Sequence, residues 1–477
     1  MIQTNYIVAI ELSSSKVTGA VGIETINGIK IIATASTLVD GYISKGVVRN
    51  VDKTSEAIAD IINRLEHDLT DNDGKEITIK RAYVSLAGLT MHSIQSKVTR
   101  TFDTYTKISA ETISEMELEN DALFQVPDGY SKVHVITQEY KVDGKTDHNP
   151  IGAPAMAIEG RYLNIVIKKQ FLEQLNESFE QVDTVITDSF VAACMDADIL
   201  LTKDARRNGC ALVNIGAETT TVSIYNNDNL RMLKVLPLGS NNITRDLCAE
   251  QISYDAAEVI KITRGYKSQA SETEPISNET ANNIIRARTG EILQNVKYQI
   301  EESGEMIHNI IFTGGGSRLK NLSILLEEYL PNFNTSIVSD PQLAFECKPG
   351  VNTYGIFTTA LYGLLNHGKE NCCEETSNEP QPTTLFPENI MSGNDTPEED
   401  TTTIANEEEE ARREEEQRKK KEEEERKKRE EELKKKKKKE KEQALLNKIR
   451  GFGGLFKEFL QDATSEDEDD DINNEDD

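Results

Sequence analysis

Two stretches far apart in the chain carry the same local pattern. Residues 7–22 read IVAIELSSSKVTGAVG and residues 211–225 read ALVNIGAETTTVSIY. Each is an apolar strand, a tight turn of small and hydroxyl residues, and a second β-branched strand, with one polar residue, Glu11 or Asn214, near the end of the first strand. Strands joined by so short a turn pair as a hairpin. The turn then aims backbone N–H groups and hydroxyls into a small concavity that suits phosphate oxygens. One such hairpin merely reverses a chain, but a pair separated by a domain's length predicts a duplicated α/β unit that closes on one nucleotide. A third element is IIFTGGGS at residues 310–317. A buried strand ends in Gly314, Gly315 and Gly316, where bare backbone can approach a flat ring or a phosphate. Ser317 is expected to open a helix whose N-terminus favours anions.

Length and charge narrow the setting. The chain has 477 residues and a formal net charge of -29. That length admits two or three domains, and residues 5–366 are the part expected to be ordered. The acidity argues against general nucleic-acid binding. The chain opens MIQTNYIVAIELSSS and enters a strand at once, so no signal peptide is expected. No apolar run reaches bilayer-spanning length. The six cysteines have no CxxC spacing and read as reduced thiols.

The pattern along the chain predicts residues 1–82 and 163–205 as a first lobe, with 83–162 as a separate inserted α+β unit that includes the strand AYVSLAG. Asp52 or Thr54 is the expected cap of a helix burying Ile58, Ile61, Ile62 and Leu65. Residues 206–250 and 307–368 form the second lobe, with a helical subdomain at 251–306. Residues 369–404 are poor in apolar side chains and read as a disordered linker. Residues 405–443 are almost wholly Glu, Lys and Arg. Their i,i+4 ion pairs favour a solvated helix roughly 60 Å long, with plain disorder as the alternative. Residues 444–461, ALLNKIRGFGGLFKEFLQ, step Leu445, Ile449, Phe452, Phe456 and Phe459 along one face, widened by Leu446, Leu455 and Leu460. Gly451, Gly453 and Gly454 weaken that helix in water. An amphipathic segment of this kind suits folding on a membrane surface. Residues 462–477 are a dense acidic tail.

Taken in this order, the motifs resemble those of FtsA, the family of actin-like proteins that tether the tubulin-like FtsZ to the bacterial inner membrane. The resemblance covers residues 6–366 and returns in the last helix. It implies a two-lobed actin-like ATPase fold holding ATP or ADP with Mg²⁺ in a central cleft. In the actin/Hsp70/hexokinase superfamily, Glu11, Ser13, Ser14, Ser15 and Lys16 match the first phosphate loop. Asn214, Gly216, Ala217, Glu218, Thr219 and Thr220 match the second, and Gly314 to Ser317 match the adenosine motif. Glu258 and Lys261 match the pair expected near ribose and base, and Gly239 joins the cofactor set. Asp188 falls where the family usually has a Glu that orients the attacking water, and Glu11 is the metal organiser, acting through water. QEYKVDG and NPIG resemble the subdomain that FtsA has and actin lacks, a feature shared with pilus-assembly proteins of the PilM type.

Three departures stand out. The first loop has Glu11 and Ser13 where Asp and Gly are usual, and the second has Asn214 for Asp, with Ala217 and Glu218 for glycines. They imply intact adenosine recognition with weakened hydrolysis, so ATP acts as an assembly ligand. The resemblance also implies self-association into filaments, recruitment of downstream division proteins, and an FtsZ-tail site at Arg286, Arg288 and Lys297. The implied location is the cytoplasmic face of the inner membrane at the division site. A PilM-like scaffold and an actin-fold ATPase or kinase are the rival readings.

Overall fold

The computed structural model describes residues 4–26, 28–69, 76–267, 276–338, 346–351 and 358–376. The first repeated hairpin is present: β1 (Tyr6–Leu12) pairs antiparallel with β2 (Lys16–Thr25), which pairs with β3 (Gly28–Leu38). Glu11 stands opposite Thr18. A short hairpin, β4 (Ile43–Ser44) and β5 (Val47–Val48), leads into α1 (Val51–Leu69). Ile58, Ile61, Ile62 and Leu65 of α1 are buried against the sheet, as their spacing requires. Its cap is Asn50, whose Oδ1 accepts from the Lys53 N–H at 2.9 Å, rather than Asp52 or Thr54.

After β6 (Glu76–Ile79), β7 (Arg81–Leu86) carries the AYVSLAG run. The sequence reading assigned it to the inserted unit. It belongs instead to the first lobe, pairing parallel with β1 through Ala9↔Tyr83 and Ile10↔Val84. Its run of buried residues is the signature of an inner parallel strand.

The insertion therefore starts at β8 (His92–Lys107). It continues through α2 (Ala110–Leu123, capped by Ser109), β9 (Tyr130–Val142), β10 (Lys145–Asp147) and β11 (Pro154–Lys168). β8 escaped the sequence reading because its outer half alternates among Thr, Lys, Arg and Asp and is largely exposed. The insertion touches both lobes, and Leu163, Ile165 and Ile167 of β11 enter the core of the first. It joins the second lobe where His92 pairs with Lys234, and the buried Gln138 amide donates to the Leu230 carbonyl at 2.8 Å.

Next come α3 (Lys169–Glu180), β12 (Val185–Val191), α4 (Ala192–Leu200) and α5 (Lys203–Asn208). The second hairpin is β13 (Cys210–Ile215) with β14 (Thr220–Asn226), followed by β15 (Asn229–Leu236). Helices α6 (Asn241–Cys248), α7 (Tyr254–Thr263) and α8 (Asn278–Glu302) form the helical part of this lobe. Then β16 (Asn309–Thr313) enters the glycine turn, followed by α9 (Leu322–Tyr329), β17 (Asn334–Ile337), β18 (Glu346–Cys347), α10 (Thr359–His367) and β19 (Cys373–Thr376). The first sheet runs β12-β7-β1-β2-β3-β18, and the second runs β10-β9-β11-β8-β15-β14-β13-β16-β17. The core of the first lobe extends to Cys210, Leu212, Leu230 and Leu233 of the second sheet and takes in α10, which the sequence placed in the second lobe; a second core fills the helical side of the second lobe, and a smaller one around Tyr162 and Met116 fills the insertion.

Residues 370–376 were read as the start of a disordered linker and are folded. Cys372 and Cys373 are buried, and β19 pairs with β6. The Cys372 carbonyl accepts from the Lys80 and Arg81 N–H groups. The charged and amphipathic segments expected at 405–443 and 444–461 lie outside the described residues. A chain cut after Lys369 should therefore melt roughly 2–5 °C below one cut after Pro380, because two small apolar side chains and a strand pairing are lost. Equal melting temperatures in differential scanning calorimetry would contradict this packing.

Candidate functional site

The two hairpin turns and the glycine turn meet where the lobes face each other. The first turn is self-supporting: Ser13 Oγ donates to the Lys16 carbonyl at 2.7 Å and accepts from the Lys16 N–H at 3.2 Å. The Ser15 carbonyl accepts from the Val39 N–H, and Ser14 Oγ accepts from the Gly46 N–H at 2.8 Å. In the second turn the Gly216 N–H donates to the Thr219 carbonyl at 2.8 Å. The Gly216 and Ala217 carbonyls accept from Ser240 and Asn241, which seats the start of α6 on the loop.

Two residues expected to touch nucleotide are taken up in supporting the second turn. Gly239 lies so close to the Ala217–Glu218 peptide that any side chain there would collide. Thr220 is buried, and its hydroxyl donates to the Leu238 carbonyl at 2.7 Å.

The glycine turn is shaped by its neighbours. Gly314 has φ 87°, and a side chain on it would strike Asn214 Oδ1 and the Ile215 carbonyl. Gly316 is backed by Ile215, whereas a Cβ on Gly315 would meet nothing within 4 Å. Gly315 thus borders open space, as a surface for a flat ring or phosphate must. Ser317 does not open an α-helix. It is buried in a single 3₁₀ turn, Gly315–Arg318, with its hydroxyl on the Gly314 carbonyl at 2.7 Å, and α9 begins only at Leu322.

Beneath the turns lies a pair of enclosed acids. Glu11 Oε2 accepts from the Thr358 hydroxyl, and Thr358 also caps α10 by accepting from the Leu361 N–H at 3.1 Å. Asp196, on α4, accepts from the Thr359 hydroxyl and from Asn214 Nδ2 at 2.8 Å. Burial raises the Glu11 pKa; the Thr358 bond opposes this, nearby Asp196 adds to it, and Lys16 opposes it. Burial likewise raises that of Asp196, against the bonds from Thr359 and Asn214. Lys16 is shifted down, first by burial and then by Arg318, with Glu11 pulling the other way.

Asn214 is thereby explained: an Asp there would set a carboxylate against that of Asp196 in a poorly solvated site. Asp196, Thr358, Thr359 and Arg318 were not singled out in the sequence. The signal for Asp196 was an acid inside the alanine-rich run AACMDADIL.

Glu258 and Lys261 form one unit: Lys261 Nζ reaches Glu258 Oε2 at 2.7 Å and the Thr244 hydroxyl at 3.0 Å, and that hydroxyl donates to Glu258 at 2.6 Å. Asp188 is not gathered in. It is level with Ala9 across β7, two strands from β1, which is roughly 10 Å at ordinary strand spacing. It is exposed, accepts from the Ser189 N–H and faces His134.

The expected partner arginines are also separated. Arg286 pairs with Glu328, Arg288 with Asp246 and Glu291, and Lys297 with Glu301 at 3.8 Å. Residues two apart on a helix project about 200° apart, so Arg286 and Arg288 do not make one patch.

Comparison with known proteins agrees with this architecture. A family model described as cell division protein FtsA matches residues 211–345, and one for the SHS2 domain inserted in FtsA matches residues 88–166. Both models are of FtsA, so the chain is similar to that family in its second lobe and in its insertion. It is 29% identical over 309 residues to the cell division protein FtsA of Porphyromonas gingivalis, a match spanning 60% of this chain and 63% of that protein, under two thirds of its length. It is 26% identical over 350 residues to that of Bacillus subtilis, spanning 68% and 77%. A solved PilM-PilN type IV pilus biogenesis complex matches with a TM-score of 0.55 at 16% identity, over 75% of this chain and 97% of that one. That likeness is one of fold, and the fold is that of the actin-like ATPases.

Both enclosed acids have pKa values raised in the folded state, so their contribution to stability is full below about pH 4 and is lost as pH rises through the raised values. The Glu11→Gln variant, which keeps an acceptor for Thr358, should match the parent near pH 4. At pH 7.5 it should melt roughly 2–4 °C higher. A lower melting temperature at neutral pH would show that the Glu11 charge stabilises the fold.

Proposed function

We infer that this FtsA-like chain binds ATP or ADP with Mg²⁺ between its lobes and uses it as an assembly ligand to hold FtsZ at the membrane. The observation that carries this is the convergence of both hairpin turns and an open Gly315 over one enclosed acid pair. The first turn, the 216–219 turn and the start of α6 would hold phosphates beside Lys16 and Arg318. Gly314 to Gly316 and the Glu258–Lys261 pair would hold the adenosine.

Among the described residues no group of three His, Cys, Asp or Glu side chains could ligate a metal. That suits Mg²⁺, which keeps several waters and takes phosphate oxygens rather than a protein cage; Glu11 would order such waters. Bound Mg²⁺ would supply charge neutralisation for the phosphates. The position of Asp188, away from the turns, supports slow or absent hydrolysis.

The tether rests on residues 444–461 of the sequence, and no helix among the described residues is long and apolar enough to cross a membrane. For the FtsZ tail, Arg288 on α8 remains the candidate contact, with Asp246 and Glu291 as the partners a tail carboxylate would displace. Filament formation and recruitment of later division proteins complete the reading. A PilM-like scaffold would share the cleft and need no lipid-binding helix.

The Gly315→Val variant separates binding from folding. A Cβ at this position meets nothing within 4 Å, so the variant's melting temperature should stay within about 1 °C of the parent, while calorimetry with Mg-ATP shows at least a tenfold loss of affinity. Parent protein that gives no heat with ATP or ADP would end the nucleotide reading. In liposome flotation, FtsZ filaments should rise with vesicles only when the chain is present and carries residues 444–461. Flotation unchanged by their removal would end the tether reading.

A further inference from the structure

The second hairpin turn carries an acid, Glu218, at a place meant for phosphate. Its carboxylate is fully engaged. Oε2 accepts from the Ser44 hydroxyl at 2.9 Å and the Lys45 N–H at 2.7 Å, and Oε1 accepts from Arg245 Nη2 at 2.7 Å. Ser44 and Lys45 belong to the β4–β5 hairpin of the first lobe, whereas Glu218 and Arg245 belong to the second. The Glu218 side chain is only 11% exposed, which sets it apart from exposed ion pairs of little consequence.

The same hairpin is fastened to the first phosphate turn through the Gly46 N–H and Ser14 Oγ at 2.8 Å. Lys45 and Gly46 both have positive φ, 52° and 71°, the pattern of a tight two-residue hairpin turn. The Lys45 carbonyl accepts from the Leu89 N–H at 3.0 Å, which anchors the turn from behind. One hairpin of the first lobe therefore straps both phosphate turns. On the second turn its donors are already satisfied by an anion of the protein itself.

We propose that Glu218 occupies the donors a terminal phosphate would use, latching the lobes without nucleotide and making the cleft favour a nucleoside diphosphate over a triphosphate. A carboxylate and a phosphate oxygen are both anionic acceptors, and the Ser44 hydroxyl, the Lys45 N–H and the Arg245 guanidinium suit either. They cannot serve both at once, and two anions brought that close repel strongly. The selectivity rests on the nucleotide reading above, and the latch does not.

Two measurements on full-length protein test it. Hydrogen exchange, read on peptides covering residues 42–50, should be at least tenfold faster at Lys45 in Glu218→Ala, with β13 protection unchanged as proof of folding. Glu218→Gln keeps an acceptor for the Lys45 N–H and should retain most of that protection. Titration calorimetry should show the ratio of ATP to ADP dissociation constants falling at least tenfold in Glu218→Ala and rising in Arg245→Ala, which keeps the acid and removes a donor that a terminal phosphate would use. Unchanged Lys45 exchange overturns the latch, and an unchanged ratio overturns the selectivity. If Lys45 responds but no variant binds either nucleotide, the latch stands and the nucleotide reading falls, taking the selectivity with it.

Discussion

Two carboxylates enclosed at the base of the cleft, Glu11 and Asp196, set the terms for everything around them. A buried acid must be hydrogen-bonded or neutralised, and these two acids with the donors that satisfy them bring four different elements together. Glu11 lies on β1 and Asp196 on α4; Asn214 comes from β13, and Thr358 and Thr359 from the start of α10. The strand that opens the first lobe, the strand that opens the second, and helices either side of the crossing between them are thus held at one point. The turns can present their backbone to a ligand because their bases are fixed there.

The lobes are joined elsewhere as well, through apolar packing and through two contacts of different kinds. The insertion is continuous with the second sheet through β8 and β15, and the buried Gln138 links it to the Leu230 carbonyl. The β4–β5 hairpin of the first lobe also reaches across to Glu218. The first junction is a sheet pairing with a core behind it. The second is a small set of polar contacts around one charge, the kind of contact that a competing anion can exchange.

Much of this was legible beforehand because it is local. The hairpins at 7–22 and 211–225 declared themselves by β-branched runs around small-residue turns, and α1 by the spacing of Ile58, Ile61, Ile62 and Leu65. The triple glycine marked a close approach of backbone. What escaped was non-local. AYVSLAG reads the same whether it starts an insertion or fills the centre of a parallel sheet, and only its neighbours β1 and β12 decide. β8 is too polar on its outer half to show a strand's alternation. Cys372 and Cys373 looked like the edge of a linker until β6 lay beside them.

The sequence by itself determined the repeated turns, the glycine turn and the amphipathic helix α1, because each depends on residues close together in the chain. Only the tertiary structure decided which polar groups face one another. It paired Asn214 with Asp196, turned Glu218 toward the other lobe, left Asp188 at the sheet edge, and sent Arg286 and Arg288 to opposite sides of α8. Those outcomes depend on distances between segments up to hundreds of residues apart, and the energy of a charge depends on the partner that folding brings to it.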